Sequence, residues 1–302
     1  MGDPGTFERL DPPHYAYIFV VFKKNNNTYD IKTILGQNLY DGGKTDSDVW
    51  EPYDLGDDVI YRCKTTFTEL LPLKTLEYCH IYAAMSKTPL TLKSGSTIID
   101  SDHIPANETM VQNITFTVND DLQEELQNIY STPCNYLIDG DYYANIGLGK
   151  TVTANIILYH VAAKVDLMWN VPEEQQPVIK VTQIKAKHLF QGDSYIFKPT
   201  ENVHTQFTES DGYNPVALVG DVPSTWWAGR SYFYTIPYRT TEGGQFPLQF
   251  DFDIRNTTAG QTYTNSVTMS KTISDVFVPW MRGQITISTP PTYNKSENIN
   301  LD

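Results

Sequence analysis

Leu248-Gln249-Phe250-Asp251-Phe252-Asp253-Ile254-Arg255 alternates apolar and polar side chains without a break. Successive side chains of an extended chain point to opposite faces, so the stretch reads as a strand with one face in a core and one in water. The same period recurs outward from it. Val161, Ala163, Val165, Leu167, Trp169 and Val171 alternate with Lys164, Asp166 and Asn170. Ile114, Phe116 and Val118 alternate with Asn113, Thr115 and Thr117, and Val59, Tyr61, Cys63 and Phe67 share a phase against Arg62, Lys64 and Thr66. Tyr15–Phe22 is apolar in both phases, which predicts a central strand covered on both sides. In Val178–Leu189 the phase slips between Val181 and Ile184, the mark of a β-bulge near Thr182-Gln183.

One helix is expected. Asn119-Asp120-Asp121 offers a cap and acids suited to a helix N-terminus, and Leu122, Leu126, Ile129 and Tyr130 form a stripe before Pro133. Many short strands punctuated by Gly42-Gly43 and Gly243-Gly244 predict an all-β chain of antiparallel sandwiches. A boundary fits the glycine-containing stretch Ile146–Thr153. The expected division is a leader at 1–9, one sandwich over 10–153, a second over 154–290 and a disordered tail at 291–302.

Thirty-six acids against 22 Lys and Arg leave a formal charge of −14, a field that repels phosphate backbones and anionic headgroups. Nucleic acid is therefore not an expected partner. The longest apolar run, Tyr15–Phe22, is far short of a membrane span. Richness in Tyr, Thr and Asn with few lysines suggests export, although no n-region or h-region of a signal peptide precedes the first strand.

No cofactor, metal or catalytic residue is expected. Gly147-Leu148-Gly149-Lys150-Thr151 ends like a phosphate-binding loop, but Ala144 stands where the first glycine belongs, and a β-pattern follows. The six histidines lack metal-ligand spacing, and no HExxH or GxSxG motif is present. Acids cluster at Asp54–Asp58, Asp100-Ser101-Asp102 and Asp139-Gly140-Asp141 without the terminal glutamate of a calcium loop, so they read as solvated turns. A β-sandwich glycoside hydrolase would need two facing carboxylates from separate strands, and no motif marks them. Cys63, Cys79 and Cys134 have no CxxC spacing; Cys63 and Cys79 read as small buried apolar residues, with a bridge between neighbouring strands as the alternative.

Trp226-Trp227, Tyr232-Phe233-Tyr234 and Tyr238 are the densest aromatic set. Two readings stand. Trp226, Trp227, Tyr232 and Tyr234 form an exposed platform that stacks on sugars or a partner, or alternate members pack into the second core. Packing is the simpler reading, because tryptophans usually end up mostly buried.

The second half also has a distinctive order of segments. Val161–Leu167 is followed by Val178–Ala186 and Ser194-Tyr195-Ile196-Phe197-Lys198-Pro199. Ser231–Tyr238, Phe246–Ile254 and Val278-Pro279-Trp280-Met281-Arg282-Gly283-Gln284-Ile285-Thr286-Ile287 come next. This order and spacing resembles the fimbrillin-like proteins of Bacteroidales, the subunits of FimA-type fimbriae. The likeness runs from Tyr15 onward and is strongest over 152–288. It implies two tandem transthyretin-like antiparallel β-sandwiches and a non-catalytic fimbrial (pilus) subunit for cell adhesion. It also implies export as a lipoprotein to the outer membrane or fimbrium, touching membrane only through a lipid anchor. The implied partners are other fimbrial subunits and a host or bacterial surface receptor. Family subunits polymerise after an N-terminal segment is cut, often after arginine, and a neighbour's strand then fills the vacated groove. Arg9, the one arginine before the first strand, is the corresponding candidate processing site. Inserting four or five apolar side chains would gain about 1.5–3 kcal/mol each before ordering costs. Neither residues 1–14 nor the tail after Ile287 has the apolar alternation of a donor strand, which favours an accessory, tip or anchor subunit. A glycan-binding surface lipoprotein is the alternative.

Overall fold

The structure, a computed structural model, describes residues 12–54, 59–64, 76–118, 125–132, 134, 156, 158–170, 179–187, 190–204, 214–216, 228–240, 249–256, 262–268 and 284–289. The chain is all-β, with short helices between strands.

Strands β1 (Tyr15–Lys24) and β2 (Tyr29–Asn38) form a hairpin, followed by the one-turn helix α1 (Asp46–Val49). A second hairpin pairs β3 (Glu51–Asp54) with β4 (Val59–Arg62). Next come β5 (Leu76–Ser86), β6 (Leu92–Ser94), β7 (Thr97–Ile98), α2 (Glu108–Gln112), β8 (Ile114–Val118), β9 (Ile129–Ser131) and β10 (Tyr159–His160). The remainder supplies β11 (Ala163–Asn170), β12 (Ile179–Lys187), β13 (Gly192–Tyr195), β14 (Val203–His204) and β15 (Asn214–Val216). It ends with β16 (Ala228–Thr235), β17 (Arg239–Thr240), β18 (Gln249–Asn256), β19 (Thr262–Thr268) and β20 (Gln284–Thr289).

A five-stranded sheet in the order β10-β9-β5-β1-β2 packs against a four-stranded sheet in the order β13-β8-β6-β7. Phe197, just past β13, meets the ring of Phe19 edge-on at 6.1 Å and that of Tyr82 at 5.3 Å. Such tilted aromatic contacts add to the apolar burial that joins the layers. The Tyr17 hydroxyl donates to the Leu90 carbonyl (3.2 Å) and accepts the Leu90 N–H (2.6 Å), fixing β1 to the run into β6. As its two-phase pattern predicts, β1 is covered on both sides: Phe19, Val20, Val21 and Phe22 are all buried. Phe19 and Val21 lie on the face that meets Phe197. Val20 and Phe22 turn the other way and pack with Cys79, Ile81 and Ile156.

Two distortions bend these sheets. β12 slips register against β18 between Val181 and Gln183, so Thr182 is the extra residue of the expected bulge. Leu35 and Gly36 together face Tyr17, and Gly36 sits at φ 63°, in the left-handed region that glycine tolerates best.

The helix expected over 119–130 is corrected where it is described; residues 119–124 lie outside the described residues. Leu126–Asn128 form one 3-10 turn, and Ile129 and Tyr130 belong to β9. The β-branched and aromatic pair fits a pleat, and β5 offers a free edge to it: Ser86, Met85 and Ala84 pair with Ile129, Tyr130 and Ser131. Leu126 and Ile129 are buried all the same, so apolar spacing was satisfied by a turn and a strand instead of a helix.

Main-chain pairing crosses residue 153 twice, with β10 on β9 and β13 on β8. Asn202 fastens this crossing segment. Fully buried, it accepts the Tyr195 N–H (2.9 Å) and donates to the Pro199 carbonyl (2.8 Å), the Ser194 hydroxyl (3.1 Å) and the Pro237 carbonyl (3.2 Å). Two further sheets follow, in the orders β16-β11-β20 and β15-β12-β18-β19. β20 runs parallel to β11, whereas the neighbours of β12 and β18 are antiparallel.

The three cysteines are free thiols, so the Cys63–Cys79 bridge does not form. Cys79 packs among Val20, Phe22 and Ile81, whereas Cys63 packs beside Ala16, Leu39 and Met85.

Candidate functional site

Tyr78, His80 and Tyr82 alternate along β5 and therefore share a face, the one opposite Cys79 and Ile81. Above them lies α2, whose start is set by Asn107: its side chain accepts the Met110 N–H at 2.9 Å. That cap places Glu108 in the first turn, pointing at the sheet, with only 8% of its surface exposed. One carboxylate oxygen accepts from His80 Nδ1 (2.5 Å) and the Tyr82 hydroxyl (2.7 Å), and the other accepts from Tyr78 (2.5 Å). Gln112, one turn along α2, donates to the Tyr82 oxygen at 2.9 Å. The rings of Tyr78 and His80 stack at 4.3 Å, and Lys23 lies over Tyr78, 5.3 Å from its centroid.

A buried carboxylate without partners would be neutral. Burial does push Glu108 upward, but the donors His80, Tyr78 and Tyr82 outweigh it and hold its pKa down at about 2. Burial and the adjoining carboxylate together raise the Tyr78 and Tyr82 hydroxyls well above the usual phenol range. The carboxylate thus stays charged and both tyrosine hydroxyls stay protonated. Three strong donors converge on one acid, so the arrangement is a brace between helix and sheet.

A second aromatic group lies where β9, β10 and β16 approach. The His160 ring is 4.6 Å from Tyr130, tilted by 41°, and 6.4 Å from Tyr234, at 30° to it. His160 Nδ1 donates to the Gln127 carbonyl at 3.0 Å, which fixes the ring. All three rings are half-buried. Of the candidate aromatic surface, Tyr234 belongs to this stack, and Tyr232 stands in β16 opposite Asp166 of β11. Trp226, Trp227 and Arg9 lie outside the described residues, as do the loops at 147–151 and 139–141. The pairing of Tyr130 with His160 had no signal in the sequence, where Tyr130 reads as part of a helix stripe.

A shallow depression of about 150 Å³ lies beside α1, lined by Gln37, Leu39, Lys44, Asp48, Glu51 and Lys64. Its acids are already engaged. Glu51 pairs with Lys64 (3.1 Å) and Arg62 (3.3 Å), and Asp48 accepts the Thr45 N–H and hydroxyl, each at 2.7 Å. The Asp100 turn is likewise closed on itself, accepting from the N–H groups of Asp102 and His103. Among the described residues no three His, Cys, Asp or Glu side chains are grouped to hold a metal ion, and no helix is long and apolar enough to cross a membrane.

No family model matches the chain, and no curated protein matches it in sequence. Among solved structures it is similar to a protein of Bacteroides fragilis provisionally described as a cell adhesion protein. The identity is 7%, over 93% of this chain and 80% of that one, with a TM-score of 0.41. A provisionally described adhesin of Bacteroides ovatus is 9% identical over 91% of this chain and 82% of its own, with a TM-score of 0.38. Another from Bacteroides thetaiotaomicron is 8% identical over 86% and 73%, with a TM-score of 0.34.

Proposed function

We propose that the chain is a non-catalytic subunit of a surface adhesion structure of the fimbrial kind, held at the outer membrane or in a fimbrium and joined to sibling subunits by added strands. One observation supports this reading above others. The segments whose order carries the resemblance each overlap a strand: 163–170, 179–187, 192–195, 228–235, 249–256 and 284–289. Proteins of this kind work through sheet edges, where unpaired main-chain groups accept a partner's strand.

Processing after Arg9 would fall ahead of the paired main chain. Main-chain pairing is in place from His14, whose N–H donates to the Ser86 carbonyl at 2.9 Å. A cut after Arg9 would therefore leave β1 in the chain.

The test is incubation with purified sibling subunits from the same genome, with and without cleavage at Arg9. The reading expects complexes that persist in mild denaturant; absence of any complex with every sibling overturns it.

A second reading, glycan binding, has the clustered rings of Tyr130, His160 and Tyr234 in its favour, since a pyranose ring lies readily against an aromatic face. It expects glycan-array signals that Tyr234→Ala abolishes, and a blank array removes it.

A further inference from the structure

Among the described residues β2 is the outermost strand of its sheet and pairs with β1 alone. Which of its main-chain groups face outward follows from one hydrogen bond. Lys24 N donates to Thr28 O at 2.9 Å, so these two form a bonded pair. Antiparallel pairs alternate between bonded and non-bonded. Counting along the register, Phe22–Asp30 and Val20–Lys32 are bonded pairs too. Tyr29, Ile31 and Thr33 therefore turn their N–H and C=O groups away from β1.

We propose that this outward row pairs antiparallel with the same row of a second copy of the chain, about a two-fold axis through Ile31. Ile31 then faces its own counterpart, and each Tyr29 faces a Thr33, all as bonded pairs. The charges select this register. Asp30 and Lys32 flank the axis on one face, so each Asp30 lies opposite a Lys32 in the non-bonded pairs, where side chains approach most closely. Centring the axis on Tyr29 or Thr33 leaves both charges opposite uncharged residues. Within one copy Lys32 lies 3.5 Å from Asp30 and Lys24 3.9 Å from it, each group about one-third exposed. Pairing exchanges these contacts for equivalent ones across the axis and does not bury a lone charge.

The row is bounded at both ends. The turn at 25–28, with Asn27 at φ 61°, closes one end, and Gly36 at φ 63° deflects the strand at the other. The contact is isologous and uses up the edge, so it closes as a dimer and does not propagate into a fibre. It does not depend on the fimbrial reading; a receptor-binding or sugar-binding chain would have the same edge.

The test is analytical ultracentrifugation of the full chain from about 1 µM to about 1 mM, a range that spans weak to moderate association. A reversible monomer–dimer equilibrium is expected. Asp30→Lys and Lys32→Asp each set like charges opposite one another twice and should weaken the dimer at least about tenfold. Mixed in equal amounts, they should associate again, because each variant presents the charge the other needs. Ile31→Pro removes an outward N–H without touching a bond to β1 and should abolish the dimer, with circular dichroism unchanged. A wild-type chain monomeric throughout overturns the proposal. So does dimerisation unaffected by either charge reversal, or a mixture no better associated than its components.

Discussion

The imidazole of His80 and the carboxylate of Glu108 meet at 2.5 Å although 28 residues separate them in the chain. Facing an acceptor, Nδ1 carries the ring proton, so the bond orients the imidazole and holds α2 on the sheet.

Glu108 is a buried carboxylate on which acid stability should depend. Its folded pKa, about 2, lies below its ordinary value of 4.5. The stabilisation is full above about pH 4.5 and is lost as pH falls towards 2, on the order of 3 kcal/mol in all. Glu108→Gln should remove most of it at pH 7 and flatten the decline between pH 4.5 and 2. Urea denaturation at stepped pH reads both effects, and an unchanged slope would count against the brace.

Phe197 joins two layers through Phe19 and Tyr82. Phe197→Ala opens a cavity between them, with an expected loss of about 3–5 kcal/mol. Denaturant titration should show a lower midpoint, and a loss under about 1 kcal/mol would mean the ring is not wedged there.

Gly36 tests conformation separately from space. A Cβ there would meet the Tyr17 ring at 3.5 Å, an ordinary contact, but φ is 63°. Gly36→Ala should cost about 1–2 kcal/mol from backbone strain alone. Thermal unfolding of the variant, beside a Gly95→Ala control at φ 61° with open space around it, should give similar losses.

The thiols should be slow to react. Cys79 is buried, burial raises the Cys63 thiol, and burial pushes Cys134 up to about 12. At pH 8 the thiolate fraction of Cys134 is about one in ten thousand. Iodoacetamide followed by mass spectrometry should find little native labelling of any cysteine and three adducts after unfolding. A fast native adduct on Cys134 would contradict its burial.

The strands β8, β11 and β18 were legible because alternation is local. The two-phase run of β1 and the slip at Thr182 were legible for the same reason: each needs no knowledge of a distant partner. Ile129 and Tyr130 misled because three-residue spacing suits a helix as well as a turn running into a strand; the choice was made by the edge of β5, far away in sequence. The Glu108 brace had a partial signature. Tyr78, His80 and Tyr82 place three hydrogen-bonding rings on one phase of an otherwise apolar strand, which calls for a buried acceptor. Which acid supplies it depends on where α2 lands, and that is fixed by packing. The stack of Tyr130, His160 and Tyr234 likewise gathers three strands that no local pattern connects.

The pairing of β13 on β8 has a consequence for biosynthesis. A nascent chain that has emerged only to residue 153 has Phe19 and Tyr82 without Phe197, and β8 without one of its neighbours. The first pair of sheets cannot close until translation has passed Asn202. Until then a strand edge and an apolar face stay open to other chains, which is when a chaperone would be needed. Expressing residues 10–153 alone should give an aggregation-prone fragment, and extending the fragment through 204 should improve its solubility before the rest of the chain is added.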